Sequence, residues 1–466
     1  MVFSGIPFLY YFLPAALLLY FAVPKQLKNG ALLAASLVFY AWGEPKYVFL
    51  MMGTIVMGYV FGILIEKHKG TDGAKLWLVL SVICSAAVLC YFKYADFFIE
   101  NFNAATGMSI PFLRIALPVG ISFYTFQLLS YLIDVYRGDT AAQRNFINLA
   151  AYISMFPQLV AGPIVRYSDV RDRLENRAHS FEDIAWGIRR FVIGLSKKVL
   201  IANSLAELCD VFRASAEPSV MFYWIYAVTF TLYIYFDFSG YSDMAIGLGR
   251  ILGFKFMENF NYPYISKSIT EFWRRWHISL GSWFRDYVYI PLGGNRRSRP
   301  RWFLNIFIVW MLTGFWHGAE WTFVVWGLYF AVILVAEKLF LSKMLDKIGP
   351  FSHIYAVFLV TIGFVVFNAS DLGQAVSDIS YMFGRGDLPV VTAETMYYLK
   401  SYLVILAAAV IGATPLPKKI ITAIGRNSAG QKIADIAESV FLVAMVLLAT
   451  AYLVDGSFNP FLYFRF

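Results

Sequence analysis

The sequence predicts an all-α polytopic membrane protein, and two observations support that prediction. Of the 466 residues, 59% are hydrophobic and only 15% are charged, whereas soluble proteins carry about 25% charged and about 45–50% apolar residues. The apolar residues also form long continuous runs, unlike the apolar–polar alternation of barrel strands. We therefore expect one membrane-embedded domain over residues 1–466, without a separate soluble domain.

The first four predicted spans follow from apolar runs of 13 to 20 residues, where about 20 residues cross a bilayer as a helix. These runs cover residues 4–23, 30–42, 47–65 and 76–93. Lysines follow the first and third runs, and basic residues are enriched in cytoplasmic loops. Placing both lysine-bearing loops in the cytoplasm predicts that the N-terminus and the turn at residues 43–46 lie outside.

Residues 115–136 predict the next span, and a broken or re-entrant segment follows at residues 146–165. That segment is apolar but contains FPQ and AGP, and arginines flank both of its ends. Irregular backbone at membrane depth is tolerated only where it is buried in protein or lines a cavity. Residues 166–198 are rich in charge and predict a cytoplasmic amphipathic region.

A long apolar run over residues 220–253 is interrupted by the stretch DFSGYSD, which holds Asp237 and Asp243. Carboxylates inside a membrane segment face the bundle interior or water. Two interpretations stay open. The pair could be the proton or ion site of a secondary transporter, or it could be neutralised internally by an arginine or by backbone donors.

The C-terminal third predicts four further spans, at residues 322–341, 353–369, 397–413 and 438–455. The total is then about eleven or twelve spans plus one or two re-entrant segments. The net charge of +9 fits basic cytoplasmic loops, so we expect membrane lipids and no nucleic acid as partners.

Residues 269–321 form a polar and aromatic island that holds His277 and His317. Ionisable residues in such a setting are costly and are functional candidates by default. His317 lies between glycines at a helix junction, and it could be a neutral base or a structural histidine between helices. His277 lies in an amphipathic stretch that predicts a second re-entrant or interfacial helix, where it could equally serve as an anchor.

Arginines surround His277, and three of them are candidates for binding an anionic acyl donor from the cytoplasm: Arg274, Arg275 and Arg285. A phosphate-rich donor such as coenzyme A would fit them. The two histidines are 40 residues apart, without an HExxH pattern or a carboxylate-rich helix. We therefore predict no metal site.

Several stretches resemble the signature of the membrane-bound O-acyltransferase family. They are WRRWHISL (273–280), RDYVYIPLGG (285–294) and WHGA (316–319). Further stretches resemble the alginate O-acetyltransferase branch of that family, namely PVGISFYTFQ (118–127), FPQLVAGPI (156–164), FDFSGYSD (236–243) and the closing NPFLYFRF (459–466). The stretches follow one another along nearly the whole chain, with the core motifs within residues 115–330.

The resemblance implies a ring-like helical bundle with a central tunnel. It implies that His317 is the catalytic histidine and that His277 is the second motif histidine. It also implies that acetyl-coenzyme A, or another cytoplasmic thioester, donates an acetyl group without any permanently bound cofactor. The group would cross the bacterial cell membrane to a periplasmic or extracellular SGNH-hydrolase-like acetyltransferase, which modifies a polysaccharide such as alginate.

Two alternative functions stay open at this point. Transfer of D-alanine to teichoic acid lies within the same superfamily, although the branch-specific stretches favour acetyl transfer. A secondary transporter that uses Asp237 and Asp243 belongs to a different class of protein.

Overall fold

The computed structural model describes residues 2–160, 162–425 and 428–456, without the side chains of residues 428, 429 and 433. Over these ranges the chain is all-α, and no strand occurs. The stretch at residues 459–466 that entered the family resemblance lies outside the described residues. The all-α prediction is confirmed.

The chain forms two compact units. Unit 1 comprises Met1–Phe191 and Met244–Met257, and unit 2 comprises Val192–Asp243 and Glu258–Phe466. The prediction of a single domain over residues 1–466 stays a prediction, as do the ring and its tunnel.

Unit 1 consists of helices of very different length. They are α1 (Leu13–Ala22), α2 (Lys28–Gly43), α3 (Tyr47–Lys67), α4 (Asp72–Leu89), α5 (Ala95–Thr106), α6 (Ile121–Arg137), α7 (Phe146–Ser154), α8 (Phe156–Leu159) and α9 (Tyr167–Glu175), with the first part of α10 (Phe181–Ser196). The predicted break within residues 146–165 is confirmed, because α7 ends at Ser154 and Met155 adopts a non-helical ψ of 110° before α8.

Unit 2 contains the motif histidines. Its helices are α11 (Asn203–Arg213), most of α12 (Val220–Ile251), α13 (Ile269–Arg275), α14 (Ile278–Phe284), α15 (Arg299–His317), α16 (Trp321–Ala336), α17 (Ser342–Ile348), α18 (Ser352–Asn368), α19 (Leu372–Met382), α20 (Ala393–Ser401), α21 (Leu403–Gly412), α22 (Leu416–Ile424) and α23 (Ser428–Asp455). Aromatic side chains from α12, α13, α16 and α18 dominate its buried core.

The sequence predicted about eleven or twelve spans, and that number stays a prediction. By length and apolar composition, the described residues contain five helices that could cross a membrane, or six if the bent pair α20–α21 counts as one span. A turn shortens one of the predicted spans. The span predicted at residues 115–136 becomes helical only at Ile121, after Gly120 adopts a left-handed φ of 78°.

Helix α12 is continuous through residues 237–243, the polar stretch that interrupts the apolar run in the sequence. Both carboxylates have lysine partners within unit 2: Lys198 Nζ lies 2.6 Å from Asp237 Oδ1, and Lys197 Nζ lies 2.7 Å from Asp243 Oδ2. Ion pairing lowers the cost of burying a carboxylate, so the helix can continue. Internal pairing was one of the two open interpretations, with lysine in place of the expected arginine.

Candidate functional site

A cavity of about 510 Å³ in unit 2 is lined by both motif histidines. Polar side chains converge on a largely aromatic wall, as in many ligand sites. Other lining residues include Trp273, Arg274, Arg285 and Lys338. The cavity therefore brings together His277 and His317, which are far apart in sequence.

His317 is the last residue of α15, and close packing of α15 on α16 fixes its position. A Cβ atom on Gly314 would lie 2.2 Å from the carbonyl oxygen of Phe323, and one on Gly327 would lie 2.3 Å from that of Trp310. Only glycine permits such a close approach of two helices. The His317 ring is buried, with ring centroids 5.2 Å from Trp326 and 5.4 Å from Phe367.

His277 lies at the junction of α13 and α14, outside the helices that could cross a membrane. Its φ of 44° and ψ of 53° are left-handed, a conformation that non-glycine residues rarely adopt. Its ring packs edge-on against Phe238, with a centroid distance of 4.6 Å. Burial lowers the pKa of His277 to about 3, so the imidazole is neutral at physiological pH.

Helix α13, which leads to His277, is held at its start by the buried carboxylate of Glu337. Glu337 accepts hydrogen bonds from the backbone N–H of Ile269 (2.6 Å) and from the backbone N–H (2.8 Å) and hydroxyl (2.6 Å) of Thr270. Tyr355 donates a fourth hydrogen bond at 3.2 Å. A carboxylate at a helix N-terminus also interacts favourably with the helix dipole, so Glu337 fixes where α13 begins.

We expect Glu337→Ala to lower the free energy of unfolding by about 2–4 kcal/mol, because it leaves buried donors without their acceptor. Thermal unfolding in detergent measures this. Glu337→Gln keeps one acceptor oxygen and should lose less, and the exposed Asp346→Ala is the matched control on a nearby helix. Equal stability of Glu337→Ala and wild type would contradict the proposed anchoring of α13.

The three candidate arginines differ in position, because two of them line the cavity and the third does not. Arg274 and Arg285 line the cavity and are exposed. Arg275 is not part of the described lining. Its Nε donates to Glu271 at 2.9 Å and its Nη1 donates to the carbonyl of Asn261 at 3.1 Å.

A further cation, Lys338, completes the basic side of the cavity. Its Nζ lies 5.5 Å from the ring centroid of Trp302, and the described lining contains no carboxylate. These three cationic side chains favour an anionic ligand, and Asp286, 2.6 Å from Arg285 Nε, offsets part of the Arg285 charge.

Sequence reasoning missed Asn259, Glu337 and Lys338. Asn259 Oδ1 lies 3.2 Å from His277 Nδ1, although the two residues are 18 positions apart. These contacts are made across the fold, so no local spacing pattern predicts them. Only the arginines and histidines of the 269–321 island carried a signal that could be read from the sequence.

Comparisons with known proteins agree with the motif resemblance. The sequence profile of MBOAT, the membrane-bound O-acyltransferase family, matches residues 141–370. The "Probable alginate O-acetylase AlgI" of Azotobacter vinelandii is 42% identical over 100% of both chains. The "Peptidoglycan O-acetyltransferase" of Helicobacter pylori is 35% identical over 81% of this chain and 79% of its own length.

The D-alanine alternative has weaker support from the comparisons. The "Teichoic acid D-alanyltransferase" of Bacillus subtilis is 33% identical, but the alignment covers only 48% of this chain and 59% of that protein. The acetyl-transferring relatives match over a much greater length.

Proposed function

Because the chain belongs to the membrane-bound O-acyltransferase family, we propose that this multi-pass membrane enzyme exports acetyl groups for O-acetylation of a polysaccharide. The acetyl group comes from a cytoplasmic thioester, and the polysaccharide belongs to the cell envelope or is secreted, as alginate is. The observation that supports the proposal most is the cavity in which two buried histidines meet three cationic side chains.

The chemistry assigned to His317 is general base catalysis. The oxygen of an acceptor hydroxyl bonds to the thioester carbonyl carbon while its proton passes to the imidazole. The carbon–sulfur bond then breaks, and the leaving thiolate takes that proton back as the thiol. The His317 ring packs against Trp316, Trp326 and Phe367, and an imidazole in its neutral form can accept a proton. His277 is the second histidine at the reacting group.

The donor we propose is acetyl-coenzyme A. Its phosphates would lie against Arg274, Arg285 and Lys338, since arginine and lysine are the usual partners of phosphate groups. The thioester would then reach toward the two histidines along the aromatic wall. Arg275 has no place in this arrangement, because it is not part of the described lining of the cavity.

We expect Arg274→Ala and Arg285→Ala each to raise the KM for acetyl-coenzyme A about two- to fivefold with little change in kcat, because an exposed ionic contact contributes about 0.2–1 kcal/mol. The comparison substrate is S-acetyl-pantetheine, which lacks the phosphates and should show no such rise. Arg301→Ala, exposed at the start of α15, is the matched control. Equal KM changes for both substrates would contradict phosphate binding at these arginines.

The location of the protein in the cell and the identity of its partner protein are also proposals. We place the chain in the bacterial cell membrane with its N-terminus outside, since the lysine-bearing loops then face the cytoplasm. A periplasmic or extracellular acetyltransferase of the SGNH-hydrolase type would receive the exported acetyl group and transfer it to the polysaccharide.

Reconstituted protein tests this proposal against both alternatives. Proteoliposomes receive either acetyl-coenzyme A or a D-alanyl carrier protein on one side, and label is followed to the acceptor on the other. Transfer of acetyl alone supports the proposal. Preference for the D-alanyl donor would favour the teichoic acid alternative, and solute flux without acyl transfer would favour a transporter.

A further inference from the structure

We propose that Asn259 is a positioning residue that fixes the tautomer of His277, with the proton on Nδ1 and a lone pair on Nε2. The catalytic meaning of this inference rests on the proposed function, but the tautomer itself does not. Asn259 and Ser279 are both buried beside His277, and together they surround the Nδ1 edge of its ring.

The orientation of the Asn259 amide follows from an unambiguous donor. The backbone N–H of Ser279 lies 3.2 Å from Asn259 Oδ1. A backbone N–H can only donate, so the amide atom facing it must be the oxygen. On the other side of the amide, Asn259 Nδ2 donates to Ser242 Oγ at 3.1 Å. The backbone donor alone fixes the orientation, and the contact with the Ser242 hydroxyl is compatible with it.

The same oxygen decides where the His277 proton lies. His277 Nδ1 is 3.2 Å from Asn259 Oδ1, and two lone pairs facing each other at that distance would repel. A neutral imidazole carries one N–H and one lone pair. The arrangement is favourable only when Nδ1 carries the hydrogen, which leaves the lone pair on Nε2.

Ser279 provides the competing arrangement, and the distances disfavour it. Its hydroxyl could donate to His277 Nδ1, but the separation is 3.4 Å, whereas Ser279 Oγ lies 2.9 Å from Asn259 Oδ1. Within the described part of the chain, His277 Nε2 has no hydrogen-bond partner. Nε2 is therefore the ring nitrogen that no described protein group satisfies, on a residue that lines the cavity.

Asn259 also holds the backbone on which His277 sits. The N–H of Ile278 donates to the carbonyl of Asn259 at 3.0 Å, directly after the left-handed His277. Strained backbone persists only where surrounding contacts hold it. The main chain and the side chain of one residue thus act together on the position and the protonation of His277.

Solid-state nitrogen NMR tests the tautomer directly. The protein, labelled with 15N-histidine, is placed in lipid bilayers, and a spectrum of His277→Gln identifies the His277 signals among those of the five histidines. We expect a protonated Nδ1 and an imine-type Nε2 in wild type. A protonated Nε2 or an imidazolium at neutral pH in wild type would overturn the proposal, and this result needs no variant of Asn259.

Two variants of Asn259 sharpen the test. Asn259→Ala should free the Ser279 hydroxyl to donate to Nδ1, which moves the proton to Nε2, whereas Asn259→Asp keeps an acceptor oxygen and should keep the proton on Nδ1. The matched control is Asn305→Ala, which removes another buried asparagine and should leave the His277 signals unchanged. An unchanged tautomer in Asn259→Ala would overturn the proposal.

Activity provides a separate readout. We expect Asn259→Ala to lower kcat for acetyl transfer about 10- to 100-fold, similar to the loss of an outer partner of a metal-bound histidine, with the donor KM little changed. Asn259→Asp should recover most of the rate. If wild type has the expected tautomer but transfers no acetyl group, the proposed function fails and the positioning role stands. If wild type transfers acetyl groups but has the other tautomer, the positioning role fails and the proposed function stands.

Discussion

Substitution of His317 by alanine is expected to reduce the rate of acetyl transfer by about 10²- to 10⁴-fold, the usual contribution of a positioned general base. Purified protein in nanodiscs, labelled acetyl-coenzyme A and a chromatographic assay of acetylated acceptor measure the rate. His317 lies at the end of α15, and its ring packs against the aromatic wall. Loss of the side chain should therefore affect the chemistry more than the fold.

Two further variants separate chemistry from packing. His317→Gln keeps much of the side-chain volume but has no titratable base, so we expect it to be as inactive as alanine. His353→Ala is the matched control, because His353 contacts the carbonyl of Ser266 at 3.2 Å and is not in the described lining of the cavity. Retained acetyl transfer in His317→Gln would contradict a role as base.

The second large effect is expected at the buried ion pair of unit 2. Lys198 and Asp237 have side chains that are 1% and 0% exposed. Removing one member of such a pair typically costs about 3–5 kcal/mol, because the other charge stays buried without its partner. We therefore expect Asp237→Ala to lower strongly the melting temperature in detergent and the yield of folded protein.

The double variant Lys198→Met, Asp237→Leu distinguishes a structural pair from an ion site. Replacement of both charges by apolar side chains is often neutral in stability, so folding and acetyl transfer should largely recover. Lys197→Met is a milder comparison, because the Lys197 side chain is 22% exposed. If the double variant folds but loses all activity, the two charges have a functional role beyond stabilising the fold.

Much of the fold class was readable from the sequence. Apolar composition and run length predict an all-α membrane protein, and FPQ and AGP predict the break that separates α7 from α8. Run length alone did not place the start of α6, because the turn at Gly120 delays that helix to Ile121. The continuity of α12 depends on lysines about 40 residues earlier in the chain, which apolar run length does not take into account.

The site was predictable only in part. Composition marked His277 and His317 as candidates, and the family resemblance assigned their roles. Neither source of information showed that the two histidines line the same cavity. Neighbouring residues on a helix point in different directions, which is why Arg274 lines the cavity and Arg275 does not. The pairing of Arg275 with Glu271, at i and i+4, could have been read from the spacing. The contacts of Asn259 and Glu337 could not.

The acetyl content of the polysaccharide in cells is the most direct test of acetyl transfer at this cavity. A strain that lacks this gene is complemented with wild type, His317→Ala or His353→Ala, each at matched membrane levels of the protein. The proposed function predicts that wild type and His353→Ala restore O-acetylation and that His317→Ala does not. Full O-acetylation in the His317→Ala strain would contradict the claim that this cavity transfers the acetyl group.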